Sequence, residues 1–273
     1  MSEAVVRYFV GDRPSPALPD LDRGLAYGDG LFETVRAHRG RMHWWPGHWQ
    51  RLQRGAAMLR MALPDEDRVL AEATQLLDGR DAVLKLIVTR GSGGRGYSPA
   101  DASVPNWTLS SHALPPSPAG GLHLRWCDTR LALQPALAGI KHCNRLEQVL
   151  ARGEWNDPAI HDGLMCSSEG DVVCATAANV FVLRDSAWLT PRVDRCGVAG
   201  VCRAWALQAL PAREARLAVT DVEAADAVFL CNGVRGILPV ARLGARTWQP
   251  HPQVVALQHR LAAEHPAFAT EVS

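Results

Sequence analysis

No run in this 273-residue chain approaches the roughly 18 apolar residues a membrane-spanning helix needs, and the opening MSEAVVRYFVGDRP lacks the basic and apolar regions of a secretory leader. A cytoplasmic protein with no membrane segment is expected. CxxC pairs are missing too. The seven cysteines stand singly at 127, 143, 166, 174, 196, 202 and 231, and an odd number without a leader argues against a disulfide framework, so they are expected to be reduced, mostly buried thiols. Zinc spacing is absent: His38, His43 and His48 lie five apart, which neither a helix nor a strand gathers into one cluster, and no metal is expected. Neither charge sign dominates. The 29 basic and 28 acidic side chains are interspersed, which argues against a nucleic-acid or membrane-surface partner and leaves a small molecule. There is no internal repeat and no GxSxG elbow, and His142 beside Cys143 is a sequence neighbour rather than a catalytic pair.

What is present suffices for two lobes, since 47% of the residues are hydrophobic. AVVRYFV reads as a strand, and LFETVRAHRGRMHW as two strands turned at Arg39-Gly40. WPGHWQRLQRGAAMLRMAL places Trp49, Leu52, Ala56, Leu59 and Leu63 at helical spacing, with Pro64 expected to stop the helix; DEDRVLAEATQLLDG repeats the pattern. AVLKLIVTR and NWTLSSHAL are strand-like. LPPSPAGG at 114–121 has the composition of a linker, so the expected division is residues 1–113, the linker, and 122–273. Beyond it LHLRWCDT, HDGLMCS, DVVCATA, NVFVLRD, AWLTP, EARLAVT and AVFLCN read as strands. NRLEQVLARGEW, GVCRAWALQAL and PQVVALQHRLAA read as helices, giving a β-rich second lobe and an α/β (α+β) chain overall.

RGSGGRGY clusters glycines as a phosphate loop does, but SPADASVPN follows and cannot propagate the helix that a nucleotide fingerprint requires. It reads as a hairpin loop with positive-φ positions, from which Arg95 and Tyr97 could face a site. Lys141 stands between an apolar Ala-Gly-Ile and the amphipathic NRLEQVL. It is either a solvated surface lysine or an amine whose pKa desolvation lowers, as imine chemistry needs. GVAGVCRAWAL leads glycines into a helix, which is a simple helix start or a seat for phosphate. Arg51 is a surface charge or a bidentate phosphate contact.

Seven strings, in order, sharpen these alternatives: RGLAYGDGLFET (23–34), HWQRL (48–52), KLIVTRGSGGRGY (85–97), AGIKHCNRLEQVLAR (138–152), ATAANVFV (175–182), GVAGVCR (197–203) and FLCNGVRGILPV (229–240). Together they resemble the fold-type IV pyridoxal 5′-phosphate (PLP) enzymes, and within them the aminodeoxychorismate lyases, over nearly the whole chain. The resemblance implies a two-domain homodimer with PLP between the lobes and a second lobe that carries Lys141 as the Schiff-base lysine. It puts Arg51 on the phosphate together with Val201, Cys202 and Gly233 after Asn232, and Asn179 beside the cofactor. Tyr27, Arg95, Tyr97 and Arg235 become candidates for the substrate carboxylates. The implied reaction converts 4-amino-4-deoxychorismate to 4-aminobenzoate and pyruvate.

One position departs from the family pattern. Where its members carry a glutamate that pairs with the pyridinium nitrogen, five residues before the asparagine of AAN, this chain has Cys174. Glu169 does not replace it, because SSEG reads as a turn. A thiol, with a reference pKa of about 8.5, does not hold the ring nitrogen protonated as a carboxylate does. That counts against the D-amino-acid and branched-chain aminotransferase alternatives, whose chemistry needs a strong electron sink, and leaves a degenerate cofactor site as the remaining alternative to the lyase.

Overall fold

The computed structural model describes residues 5–99, 104–116, 118 and 120–269. Chain proximity divides it into two units, one running to Pro115 and taking in Ile140–Asn144, the other formed by Pro116–Gly139 and the chain from Arg145 onward.

The first unit contains β1 (Val5–Val10), β2 (Arg13–Ser15), α1 (Arg23–Tyr27), β3 (Gly30–His38), β4 (Arg41–Met42), α2 (Trp45–Leu59), α3 (Glu66–Leu77), β5 (Ala82–Thr89) and β6 (Asn106–His112). Its six strands form one antiparallel sheet in the order β2-β1-β6-β5-β3-β4. The β3/β4 hairpin turns at Arg39 (φ 51°) and Gly40 (φ 73°), the two left-handed positions that match the twist of adjoining strands. Along β3 burial alternates, with Leu31, Glu33, Val35 and Ala37 buried, so one carboxylate sits in an otherwise apolar row. Helix α2 covers that row with Trp45, His48, Trp49, Arg51, Leu52, Gly55 and Ala56. Gly55 permits the close approach: a Cβ there would lie 2.8 Å from the Leu31 side chain.

Helix α2 ends at Leu59, earlier than Pro64. Arg60 turns left-handed (φ 53°), the Met61 amide reaches back to the Ala56 carbonyl at 3.0 Å, and Arg90 donates to the Leu59 and Arg60 carbonyls at 2.8 Å each. A side chain thirty residues downstream thus satisfies the helix end that the sequence pattern assigned to proline.

The second unit holds β7 (Leu122–Trp126), α4 (Leu146–Arg152), β8 (Asp162–Cys166), β9 (Val172–Ala175), β10 (Asn179–Arg184), β11 (Ala187–Pro191), α5 (Val201–Ala209), β12 (Arg213–Ala215), α6 (Val219–Glu223), β13 (Ala227–Asn232), β14 (Gly236–Leu243), β15 (Arg246–Thr247) and α7 (Pro252–Glu264). Eight strands run β12-β11-β10-β13-β14-β7-β8-β9, with β15 added on β14. Leu122, Leu124, Leu164, Val180, Val182, Leu230 and Val240 build its main core. The run EARLAVT is a strand only in its first residues. Val219–Glu223 is helical, because Val222 is buried and the Asp221 carboxylate accepts the Ala218 amide at 2.8 Å.

The expected assignment of Lys141 to the second lobe is corrected. Residues 140–143 lie along β3 as a short extra strand: the Phe32 amide donates to the Lys141 carbonyl and the Cys143 amide to the Gly30 carbonyl, both at 2.9 Å, with Leu31 bridged to His142. The edge of β3 beyond β4 supplies unpaired backbone groups, and this segment takes them. Among the described residues no helix is long and apolar enough to cross a membrane, and no three His, Cys, Asp or Glu side chains gather as metal ligands.

Candidate active site

The string YGDG is the seat of the lysine segment. A Cβ at Gly28 would lie 2.5 Å from Asn144 Oδ1, so that position requires glycine for the segment to lie down, whereas one at Gly30 would lie 2.7 Å from the Val88 carbonyl, so glycine there serves the pairing of β3 with β5. Asn144 Nδ2 donates to the Gly28 carbonyl at 3.2 Å. With its backbone fixed in this way, Lys141 is half-buried and its Nζ stands 4.2 Å from the centroid of the Phe32 ring, a cation–π distance; Lys85 Nζ stands 5.6 Å from the same ring.

Glu33 lies next along β3, on the opposite, buried face. Its carboxylate accepts from Arg51 Nε at 2.8 Å and Nη2 at 2.5 Å, and His48 Nδ1 is 2.7 Å from Oε2. All three side chains are at most 6% exposed. Burial alone would raise the Glu33 pKa, but the charge and hydrogen bonds of Arg51, with the His48 bond, outweigh it and hold the group at about 2. His48 is pushed below its ordinary value, first by burial and further by the charges of Arg51 and Lys141, against the pull of Glu33. A neutral imidazole that donates Nδ1–H to Glu33 carries its lone pair on Nε2, and that atom is buried without a hydrogen-bond partner among the described residues.

The triad modifies one expectation. The Nε/Nη2 edge of Arg51, which a bidentate phosphate contact would use, is already on Glu33. Glu33, His48 and Phe32 were not singled out as site residues in the sequence.

Of the residues expected at the substrate, Tyr27 and Tyr97 meet in this unit, and Arg95 lies on the same loop as Tyr97. Tyr27 closes α1, its hydroxyl accepts the Gly96 amide at 3.1 Å, and its ring meets Tyr97 edge-on at 5.5 Å. The β5–β6 loop that carries Arg95 and Tyr97 has Gly91 and Gly96 at φ 103° and 94°, as a hairpin-like loop was expected to have.

The second unit supplies a separate group. Gly200 caps α5 without a side-chain bond, and the first intrahelical bond runs from the Ala204 amide to the Gly200 carbonyl, so the amides of Val201 and Cys202 lie in the turn whose donors a helix leaves unused. Asn179 holds the approach: its Nδ2 donates to the Val198 carbonyl at 2.9 Å, and a Cβ on Gly200 would fall 2.1 Å from its Oδ1. Asn232 folds the next turn, its Oδ1 accepting the amides of Val234 and Arg235 at 3.0 and 2.8 Å around Gly233. Asp162, which the sequence did not flag, fixes the chain after β9 by accepting the Gly163 amide and the amide and hydroxyl of Thr176.

Cys174 lies on β9 opposite Met165, 8% exposed, in a small core with Cys127 and Trp155. Burial, with smaller contributions from Cys196 and Asp162, pushes its thiol up to about 12. It is neutral at every physiological pH. Glu169 sits in the turn between β8 and β9, paired with Arg195 on the surface.

The first unit thus holds a half-buried lysine, a neutral histidine and a carboxylate-bound arginine, and the second unit a glycine-opened helix start. The family model of class IV aminotransferases matches residues 30–243. The chain belongs to that family. It is 35% identical over 248 residues to the aminodeoxychorismate lyase of Vibrio harveyi, covering 87% of this chain and 92% of that protein. It superposes on the crystal structure of 4-amino-4-deoxychorismate lyase from Pseudomonas aeruginosa with a TM-score of 0.89 and 40% identity, covering 94% and 99% of the two chains. The branched-chain amino acid aminotransferase of T.th., determined with pyridoxamine 5′-phosphate, shares the fold at a TM-score of 0.83 and 17% identity, with 96% of each chain covered. The chain is thus a homologue of the lyases, on the fold of the class IV aminotransferases.

Proposed function

We propose that the protein is a PLP-dependent lyase that converts 4-amino-4-deoxychorismate to 4-aminobenzoate and pyruvate. Lys141, Arg51 and the first turn of α5 at Val201 and Cys202 fit an aldehyde and a phosphate, with Asn179, Asn232 and Gly233 shaping the second unit's share of the site. Bound PLP supplies a reversible amine-accepting carbonyl and a ring that draws electron density. Lys141 takes the proton from C4 of the substrate, the enolpyruvyl oxygen leaves from the neighbouring carbon, and the ring becomes aromatic. The leaving enolpyruvate takes up a proton to become pyruvate, so the atoms balance. Glu33 and His48 keep the Arg51 guanidinium and the surroundings of the amine fixed while this proton moves.

The observation that carries the choice of reaction is the neutral, buried thiol of Cys174 in the place of an acid. Transamination stores a carbanion on the ring and needs a protonated ring nitrogen, whereas elimination with aromatisation sends electron density directly into the departing group. A homodimer is part of the same reading: α4 leaves Leu146, Val149 and Leu150 exposed at 76%, 63% and 65%, an i, i+3, i+4 stripe suited to a second copy. So is a cytoplasmic location.

Purified protein given PLP should gain visible absorption, and borohydride should fix the label on Lys141. Supplied with aminodeoxychorismate it should release pyruvate and fluorescent 4-aminobenzoate, and Lys141→Ala should abolish both. Amino-group exchange with a keto acid, without lyase turnover, would replace this reading with an aminotransferase; no band and no turnover would mean a degenerate site.

A further inference from the structure

Arg23 is charged and yet only 3% exposed, and its guanidinium is spent almost wholly on one loop. Nη1 donates to the carbonyls of Gly96 (3.1 Å) and Ser98 (3.2 Å), Nη2 to that of Tyr97 (3.1 Å), and Nε to Asp29 Oδ2 at 3.0 Å. The guanidinium also lies 4.9 Å over the Tyr27 ring, whose hydroxyl takes the Gly96 amide. Three successive carbonyls converging on one cation is a clamp on the loop backbone. Its base is anchored separately, by the Arg23 amide on the Gly91 carbonyl and the Gly93 amide on that of Leu21.

The loop needs such a clamp. Tyr97 is 87% exposed, Arg95 is exposed, and Gly93, Gly94 and Gly96 give the backbone wide freedom, so beyond the edge contact of Tyr97 with Tyr27 little side-chain packing orders it. The clamp is also separable from the fold. Without Arg23 the three carbonyls can turn to water, and Asp29 keeps its two bonds from Arg90 at 2.8 and 3.0 Å.

We propose that Arg23 is the positioning residue of the 93–98 loop, which it holds by the carbonyls so that Arg95 and Tyr97 are presented in a fixed place to a substrate carboxylate. The proposal deepens the lyase reading and rests on it for the identity of that carboxylate. Arg23 itself touches no substrate; it acts through the loop.

The test uses full-length Arg23→Gln and Arg23→Lys with two readouts. Amide hydrogen exchange across 93–98 should speed up at least tenfold in Arg23→Gln and less in Arg23→Lys, with the rest of the first unit unchanged. KM for aminodeoxychorismate should rise about tenfold while kcat stays within about twofold, the pattern of lost binding rather than lost chemistry. Loop exchange equal to wild type in Arg23→Gln would overturn the clamp. A loosened loop with unchanged KM would overturn its link to substrate. If wild type shows no lyase turnover, the exchange readout still decides the clamp while the lyase reading alone falls. Should both Arg23 variants fail to fold, Tyr27→Phe, which removes only the acceptor of the Gly96 amide, should raise exchange at Gly96, and no change there would count against the clamp.

Discussion

Glu33 shows how far one side chain in a buried row can set conditions for its neighbours. Held at about 2 against an ordinary 4.5, it is ionised in the native state at pH values where the unfolded chain binds a proton. Its contribution of about 3 kcal/mol is complete above pH 4.5 and is lost as pH falls toward 2. His48, whose folded pKa lies below 6.5, acts in the same direction: the unfolded imidazole takes a proton first, so stability begins to fall once pH drops below about 6.5. Denaturant melts from pH 7 to pH 3 should show both losses. Glu33→Gln should cost about 3–5 kcal/mol at pH 7, because Arg51 and His48 are left without their anion, and should lack the loss between 4.5 and 2. A Glu33→Gln protein as stable as wild type would remove the triad's structural importance. At the same scale, Cys174→Glu places an acid where the resemblance leads one to expect it. With PLP it should gain amino-group exchange with a keto acid that wild type lacks, read by product analysis, at some cost in stability from burying a larger group.

At the scale of elements, α5 is a helix start built by exclusion. Gly200→Ala would drive a Cβ to within 2.1 Å of Asn179 Oδ1, so the asparagine must move or the helix must tilt. The expected result is a loss of about 1–3 kcal/mol in stability and weaker PLP binding, measured by thermal melts and absorbance titration. An unshifted melt would mean that Asn179 yields without cost.

Elements also show what sequence reading can and cannot reach. The β3/β4 hairpin was legible because Arg39-Gly40 is a local signal, and α2 because its apolar spacing is regular. The end of α2 was not, because its carbonyls are closed by Arg90 from far along the chain. Val219 and Thr220, at the end of EARLAVT, looked like strand because composition alone does not show where Asp221 will cap. Among candidate site residues, Lys141 was singled out through its string, but Glu33 was hidden: in a strand an acid reads as the solvent side of an alternation until the partners on a distant helix are seen. The edge of β3 where residues 140–143 lie is invisible to any local pattern.

For the molecule as a whole, the exposed stripe of α4 carries the expectation of a homodimer. Val149→Asp combined with Leu150→Asp should leave each unit folded by circular dichroism while sedimentation shows a monomer. A wild-type protein that is itself monomeric at micromolar concentration would remove that part of the reading.

The pairing of residues 140–143 with β3 bears on the order in which the chain is made. During synthesis the first unit cannot be finished when Pro115 has emerged. The first third of β3, from Gly30 to Phe32, waits with an open edge until a further stretch of second-unit chain has passed and the lysine segment arrives. The segment of Lys141 is therefore also the closing piece of the first sheet, and a fragment stopped at 115 should aggregate through that edge where one extended past 144 does not.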